Sequence, residues 1–298
     1  MHPDFEQTSS SPWERAVISF LDDPNQRALL RDTYLGPDLV ENAERFFNSD
    51  EFRETLQLIR HYRTSPSTLL DIGSGNGISA IAFARTGYQV TAVEPDPGEY
   101  VGRGAIRKLI GHYQLNQLTV VDAFGESLPF PPESFDIVYV RQAMHHASDL
   151  DRFVAEAARV LRTQGLLVTV RDHVISDAKD KALFLQTHPL HRHYGGENAY
   201  TDQEYLAAFA RAGLRIKQRL RYFDSVINYA PLSAQEVKML PSRLKQNLAM
   251  LLERRFGKTG RISLLQQLAY QWICLKAGGP YNERRYPGRM YSFVAEKR

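Results

Sequence analysis

Between residues 68 and 223, short apolar runs rich in Val, Ile and Leu alternate with longer segments in which apolar residues return every three or four positions. The runs TLLDI (68–72), YQVTAVEP (88–95), LTVVDA (118–123), SFDIVYVRQ (134–142), GLLVTVRD (165–172) and LRIKQRLRYF (214–223) read as strands, and GRMYSFVAEK (288–297) reads as a last one. Segments 78–87, 101–115, 149–162 and 201–213 read as the helices between them. The first stops at Gly87, and the third starts after Ser148 or Asp149 and ends before Gly165. The fourth has Thr201 as N-cap and Glu204 three residues on, a capping-box pattern. Such alternation predicts an α/β fold: a mostly parallel, seven-stranded sheet with helices on both faces.

Outside this stretch the period is helical. Residues 12–60 place Phe46, Phe47, Phe52, Leu56 and Ile59 near helical spacing between charged residues. An insertion over 226–287 contains two amphipathic helices. Segment 242–256 groups Leu244, Leu248, Leu251 and Leu252, and segment 262–276 groups Leu264, Leu265, Leu268, Trp272 and Leu275. The expected organisation is an N-terminal helical extension or cap over 1–60, a main domain from 61–225 and 288–298, and a basic helical insertion over 226–287.

Charge changes the picture of that insertion. The 298 residues carry +3 overall, yet from Pro231 onward 13 Lys/Arg stand against 4 Asp/Glu, which puts +9 there and −6 on the rest. The insertion reads either as a helical pair packed on the domain or at a dimer contact, or as an anionic or membrane-surface contact through 235–290. The single cysteine, Cys274, excludes an intramolecular disulfide and suits a reducing compartment. No basic n-region precedes an apolar run at the N-terminus, and no stretch approaches ~20 uninterrupted apolar residues. The expected location is cytoplasmic, with peripheral membrane attachment as an option.

The candidate chemistry starts at LLDIGSGNGISA (69–80), where three glycines in five positions follow a strand. A dinucleotide fingerprint needs G-x-G-x-x-G, but its third glycine would fall at Ile78. A P-loop needs Gly-Lys-Ser/Thr, and no lysine follows. Glycines there still let the backbone turn with positive φ and approach a ligand closely. In parallel sheets such turns open onto the ligand cleft.

LLDIGSGNG resembles motif I of the class I S-adenosylmethionine (SAM) dependent methyltransferases, and four further segments agree in order and spacing. Glu94 ends the second strand, 17 residues after Gly77. DAFGESLPFPPESFDIVYVRQAMHH (122–146) and EAARVLRTQGLLVTV (156–170) are similar to the type 11 subgroup. The resemblance is strong over about 66–175 and implies a Rossmann-like fold with SAM as cofactor. It places Asp71 beneath the amino-acid end of SAM, and Gly73, Ser74, Gly75 and Gly77 under its methionine and ribose. Glu94 falls on the ribose hydroxyls, Asp122 and Ala123 beside the adenine, and Arg141 and Gln142 facing the methionine part. Arg141 departs from the family pattern. It could pair with the SAM carboxylate, with Asp71 or with an anionic acceptor.

The implied reaction is in-line displacement at the SAM methyl, in which the protein aligns the reactants. A hydroxyl nucleophile needs a base. Candidates are His145, His146, Asp172 and His173 after the fourth and fifth strands, with His145 expected to pack and His146 to face the cleft. A second group in the lid-like stretch HPLHRHYGGENAYT comprises His188, His191, His193, Tyr194 and Glu197. Without CxxC or HExxH spacing, no metal is expected. The D/N-P-P-Y motif of amino-group methylases is absent after the fourth strand, where VRQAMHH stands. The lid stretch and RRYPGRMYSFVAEK loosely resemble methyltransferases of bacterial surface glycans, which favours O-methylation of a glycan or small hydroxyl compound. The alternatives are a lipid or quinone acceptor, an RNA acceptor using the basic region, and a non-catalytic SAM-binding protein. Nucleic acid is not an expected partner, because no RNA-binding module is recognisable.

Overall fold

Apolar runs of four to seven residues cannot bury themselves as helices, and pairing them side by side satisfies their backbone while covering both faces. The computed structural model describes residues 12–21, 23, 26–65, 67–188, 191 and 197–298, with side chains at all of these except 12, 28 and 260. Its strands are β1 (Thr68–Ile72), β2 (Gln89–Val93), β3 (Leu118–Val121), β4 (Phe135–Arg141), β5 (Leu161–Ile175), β6 (Tyr200–Thr201), β7 (Leu214–Leu220) and β8 (Met290–Lys297). The sheet order is β3-β2-β1-β4-β5-β8-β7. The strands from β3 to β5 run parallel, while β8 is antiparallel to both neighbours. Chain order reverses direction at β1 and β4, so the turns after these two strands meet at the switch point, where such sheets bind ligands.

Helices fill the connections: α1 (Pro12–Leu21), α2 (Arg27–Asp32), α3 (Leu39–Phe47), α4 (Asp50–Tyr62), α5 (Ile78–Arg85), α6 (Arg103–Tyr113), α7 (Leu150–Val160), α8 (Ala178–Thr187), α9 (Asp202–Arg211), α10 (Val226–Tyr229), α11 (Ala234–Phe256) and α12 (Ser263–Ala277). The capping box at Thr201 and Glu204 is present and opens α9. Neighbouring strand residues feed opposite layers. Leu69 packs with Phe83, Tyr139 and Val168 on one face, and Leu70 packs with Val138, Phe153 and Phe209 on the other. The N-terminal extension joins the first layer through Phe46, Phe52 and Ile59. So does Ile227, just past the expected start of the insertion.

Three elements differ from the reading of the sequence. Strand β6 is an added short strand that pairs with the end of β5 at Val174 and Ile175, which draws β5 beyond its expected length. Helix α8 shows no amphipathic period, because its apolar residues are consecutive (Ala182–Leu185), and only Phe184 is buried. It starts because the Asp177 side chain accepts from Lys179 N and Asp180 N. Helix α11 begins at Ala234 rather than 242 and runs through Pro241; Ser233 and Glu236 form a capping box at its start.

A bulge in β5 prepares the site. Arg171 has φ of 60°, and pairing with β8 shifts register between Thr169 and Asp172. The broken alternation sends Arg171 to the Ile227 and Ala230 carbonyls, at 2.8 and 3.0 Å, while Asp172 turns to His145. No described helix is long and apolar enough to cross a membrane.

Candidate functional site

The glycine turn hangs from the end of β2. Gly73 N and Ser74 N both donate to Val93 O, at 2.9 and 3.1 Å. The Asn76 amide ties the turn to the N-terminal extension by donating to Tyr34 O at 2.8 Å. Two of its glycines serve different ends. A Cβ on Gly77 (φ 84°) would meet Ile106 Cγ1 at 2.8 Å, so this position is fixed by packing against α6. A Cβ on Gly75 (φ 56°) would meet nothing within 4 Å, so the backbone there borders open cleft.

Glu94 faces this turn from the end of β2. One of its oxygens accepts from Gly75 N at 2.6 Å and the other from Asp96 N at 2.9 Å. Burial outweighs both donors and pushes its carboxyl up to about 7, with Asp96 and Asp71 adding like-charge repulsion. Asp71, at the end of β1, is 1% exposed, and neither carboxylate oxygen has a hydrogen-bond partner among the described residues. Burial raises it to about 7 as well.

Two other expected cofactor residues sit differently. Asp122 points outward and pairs with Arg103 at 2.8 Å, while its neighbour Ala123 lines the cleft. Arg103 also donates to the Glu94 carbonyl, so Asp122 bears on the site through that strand end. Arg141 is largely buried and donates to Glu51 of α4 at 2.7 Å, with its guanidinium over Phe46 and Tyr34. Its three expected partners did not include Glu51, because that carboxylate comes from the extension and is 90 residues away in the chain.

Beyond the turn stands a dense histidine–carboxylate cluster. His145, on a one-turn 3-10 helix after β4, is 2% exposed. Its Nδ1 lies 3.1 Å from Asp172 Oδ1 and its Nε2 3.2 Å from Glu197 Oε2. Burial alone would depress the imidazole, but hydrogen bonds to Asp172 and Glu197 override it and raise the pKa to about 9. Burial likewise opposes ionisation of Glu197, yet His145, His146 and His188 hold its carboxyl well below the usual range. His146 Nδ1 is 3.8 Å from Glu197, and its side chain is 37% exposed. His188 Nδ1 lies 3.6 Å from the other Glu197 oxygen. His173 packs on His145 and makes a 2.7 Å hydrogen bond from Nδ1 to the Gly288 carbonyl, and burial lowers its pKa far below the usual value. His191 lines neither cleft described below, and its N–H donates to His188 Nδ1. His193 and Tyr194 lie outside the described residues.

Two clefts meet at the glycine turn. One, of about 550 Å³, is bordered by Glu94, Ala123 and Phe124. The other, of about 170 Å³, is bordered by Asp71, Arg141, His145 and Glu197. Gly73, Gly75, Gln142, His146 and Trp13 line both, so the two clefts share a wall at the turn. Trp13 of α1 and Phe124, 66% exposed, escaped the sequence reading, since nothing in their periodicity sets them apart. A further cleft of about 500 Å³ beside α4 and β7 contains none of the expected site residues.

Comparison with known proteins bears on the family and the fold. Residues 70–169 match the family model described as methyltransferase domain. The chain is 34% identical over 139 residues to the uncharacterized methyltransferase YcgJ of Bacillus subtilis (strain 168), covering 45% of this chain and 53% of that protein. It thus spans about half the length of that curated relative. The crystal structure of YcgJ is similar with a TM-score of 0.51 and 23% identity, covering 83% of this chain and 99% of that one. A geranyl diphosphate C-methyltransferase from Streptomyces coelicolor A3(2), in complex with Mg2+, geranyl diphosphate and S-adenosyl-L-homocysteine, has a TM-score of 0.56 at 15% identity, covering 99% and 91%. These structural likenesses establish the Rossmann-like fold.

Proposed function

We propose that this chain, whose residues 70–169 are a class I methyltransferase domain of the type 11 family, transfers a methyl group from SAM to a hydroxyl of a glycan or small molecule. The observation that carries the reading is a pair of adjoining clefts that share the glycine turn as a wall: Glu94 borders one, and His145 and Glu197 border the other. The residues fit the cofactor. The partnerless Asp71 oxygens can accept from the amino-acid end, and the open space at Gly75 admits a ligand against the backbone. Glu94 retains lone pairs for the ribose hydroxyls beside its two N–H donors. Ala123 and Phe124 offer the apolar wall that an adenine ring needs.

Bound SAM supplies a methyl already activated on a sulfonium, so the protein's task is alignment and exclusion of water. Trp13 covers the junction of the two clefts from α1. His146, the half-exposed member of the cluster, is the group placed to take the acceptor's hydroxyl proton. Its Nδ1 faces Glu197, which stabilises the imidazolium formed.

The test is incubation with methyl-labelled SAM and separated host fractions of small polar compounds, glycans, lipids and RNA. Label should enter the small polar or glycan fraction and disappear with Glu94→Ala. Label confined to RNA would overturn the acceptor assignment, and saturable cofactor binding with no label in any fraction would point to a non-catalytic binder.

A second reading concerns where the acceptor is met. Leu264, Leu268, Trp272 and Leu275 form one face of α12 and are 53–85% exposed, and Met250 and Leu251 of α11 are each 62% exposed. Residues 234–277 carry eight Lys/Arg against two Asp/Glu. An apolar stripe flanked by net positive charge complements an anionic membrane surface, and we assign the helical pair to such a contact. A lipid-linked acceptor would then be presented at the same surface.

A further inference from the structure

We propose that His145, His146 and Glu197 bind one divalent transition-metal ion, with Asp172 orienting the His145 ring from behind. The three ligand atoms lie within 4.8 Å of one another. Two of the separations are 3.2 Å, from His145 Nε2 to Glu197, and 3.8 Å, from His146 Nδ1 to Glu197. An ion about 2.1 Å from each ligand holds them roughly 3.0–3.4 Å apart, so small side-chain rotations close the set. His145 presents Nε2 to the cluster while its Nδ1 meets Asp172 at 3.1 Å. A carboxylate behind a ligating histidine fixes its tautomer and ring plane, which is the arrangement metal sites use.

The site is held before any ion arrives. Asn198 N and Ala199 N both donate to the His145 carbonyl at 3.2 Å. The Asn198 amide donates to the His146 and Ala147 carbonyls at 3.1 and 3.0 Å. The segment carrying Glu197 is therefore tied to the turn carrying both histidines, although 51 residues separate His146 from Glu197 in the chain. Two imidazoles and one carboxylate favour manganese, iron, cobalt or zinc over magnesium or calcium. Three protein ligands leave positions free, and the exposed edge of His146 puts them on the cleft side, where an acceptor oxygen can coordinate. That role in catalysis rests on the hydroxyl-acceptor reading, and with the ion bound His146 is a ligand rather than a base. Binding itself does not depend on that reading.

The test is titration of chelator-treated full-length protein with Co2+, followed by its visible absorption band and by calorimetry. One equivalent should saturate the band. His146→Ala and Glu197→Gln should each weaken binding at least tenfold. Asp172→Asn should weaken it about 10–100-fold at unchanged stoichiometry. His146→Ala alters a half-exposed side chain, and its circular dichroism and thermal melt without metal should match the wild type. Loss of Co2+ binding with the fold intact therefore localises the ion to this cluster, independently of the cofactor assignment. No saturable Co2+ binding in the wild type, or binding unchanged in His146→Ala, would overturn the site.

Discussion

Glu94 and Asp71 are buried carboxyls at neighbouring strand ends, and burial pushes each up to about 7. In the unfolded chain an aspartate titrates near 3.8. Between that value and about 7 the folded state holds more protons than the unfolded state, so this group makes the ligand-free protein less stable as pH rises through the window, with no further change above it. Asp71→Asn removes the ionisation. It should raise the ligand-free Tm at pH 8, and the gain should shrink as pH falls from 7 towards 4, as read by thermal melts across that range. Glu94→Ala should weaken S-adenosylhomocysteine (SAH) binding at least tenfold, about 1.4 kcal/mol, by calorimetry. If ribose hydroxyls bond the carboxylate, wild-type SAH affinity should also decline as pH drops below about 7. A pH-independent affinity would separate Glu94 from the ribose.

At the scale of elements, one carboxylate joins three pieces of the fold. Glu51 of α4 pairs with Arg141 of β4 at 2.7 Å and stands 3.7 Å from Arg171 of β5; Glu51 and Arg171 are buried and Arg141 largely so. Burial alone would keep Glu51 protonated, but the two guanidiniums outweigh it and hold its pKa below the ordinary value. Removing the shared anion leaves two buried cations facing each other. Glu51→Ala should therefore destabilise the protein by about 3–5 kcal/mol in denaturant unfolding. Arg141 was read from the sequence as a ligand contact because it follows the fourth strand at the cleft. Strand position was legible, but the partner was not, since nothing local to Glu51 or Arg141 signals that α4 packs across β4. Asp172 and His145 likewise meet only because the β5 bulge re-aims consecutive side chains.

Over the whole molecule, the uneven charge read from the sequence coincides with uneven burial. Helix α12 has no buried residue, while the sheet core is closed on both faces. If the helical pair contacts an anionic surface, the protein should sediment with vesicles of phosphatidylcholine and phosphatidylglycerol and not with phosphatidylcholine alone. Binding should weaken with salt and be lost on replacing Leu268 and Trp272 by Glu. A concentration-dependent dimer without vesicle binding would instead assign the face to a second copy of the chain.

The sequence by itself determined the strand–helix alternation, the sheet's parallel core and the glycine turn at the switch point, because these depend on short-range periodicity and on glycines that only a positive-φ turn requires. It also brought His145, His146, Asp172 and Glu197 forward as chemistry-bearing residues. Only the tertiary structure decided which of them meet. The Glu51 pairing of Arg141, the place of Trp13 beside both clefts and the meeting of Glu197 with His145 and His146 are contacts between segments tens of residues apart. Such contacts are set by packing across the sheet and by one bulge, and neither leaves a local pattern in the chain.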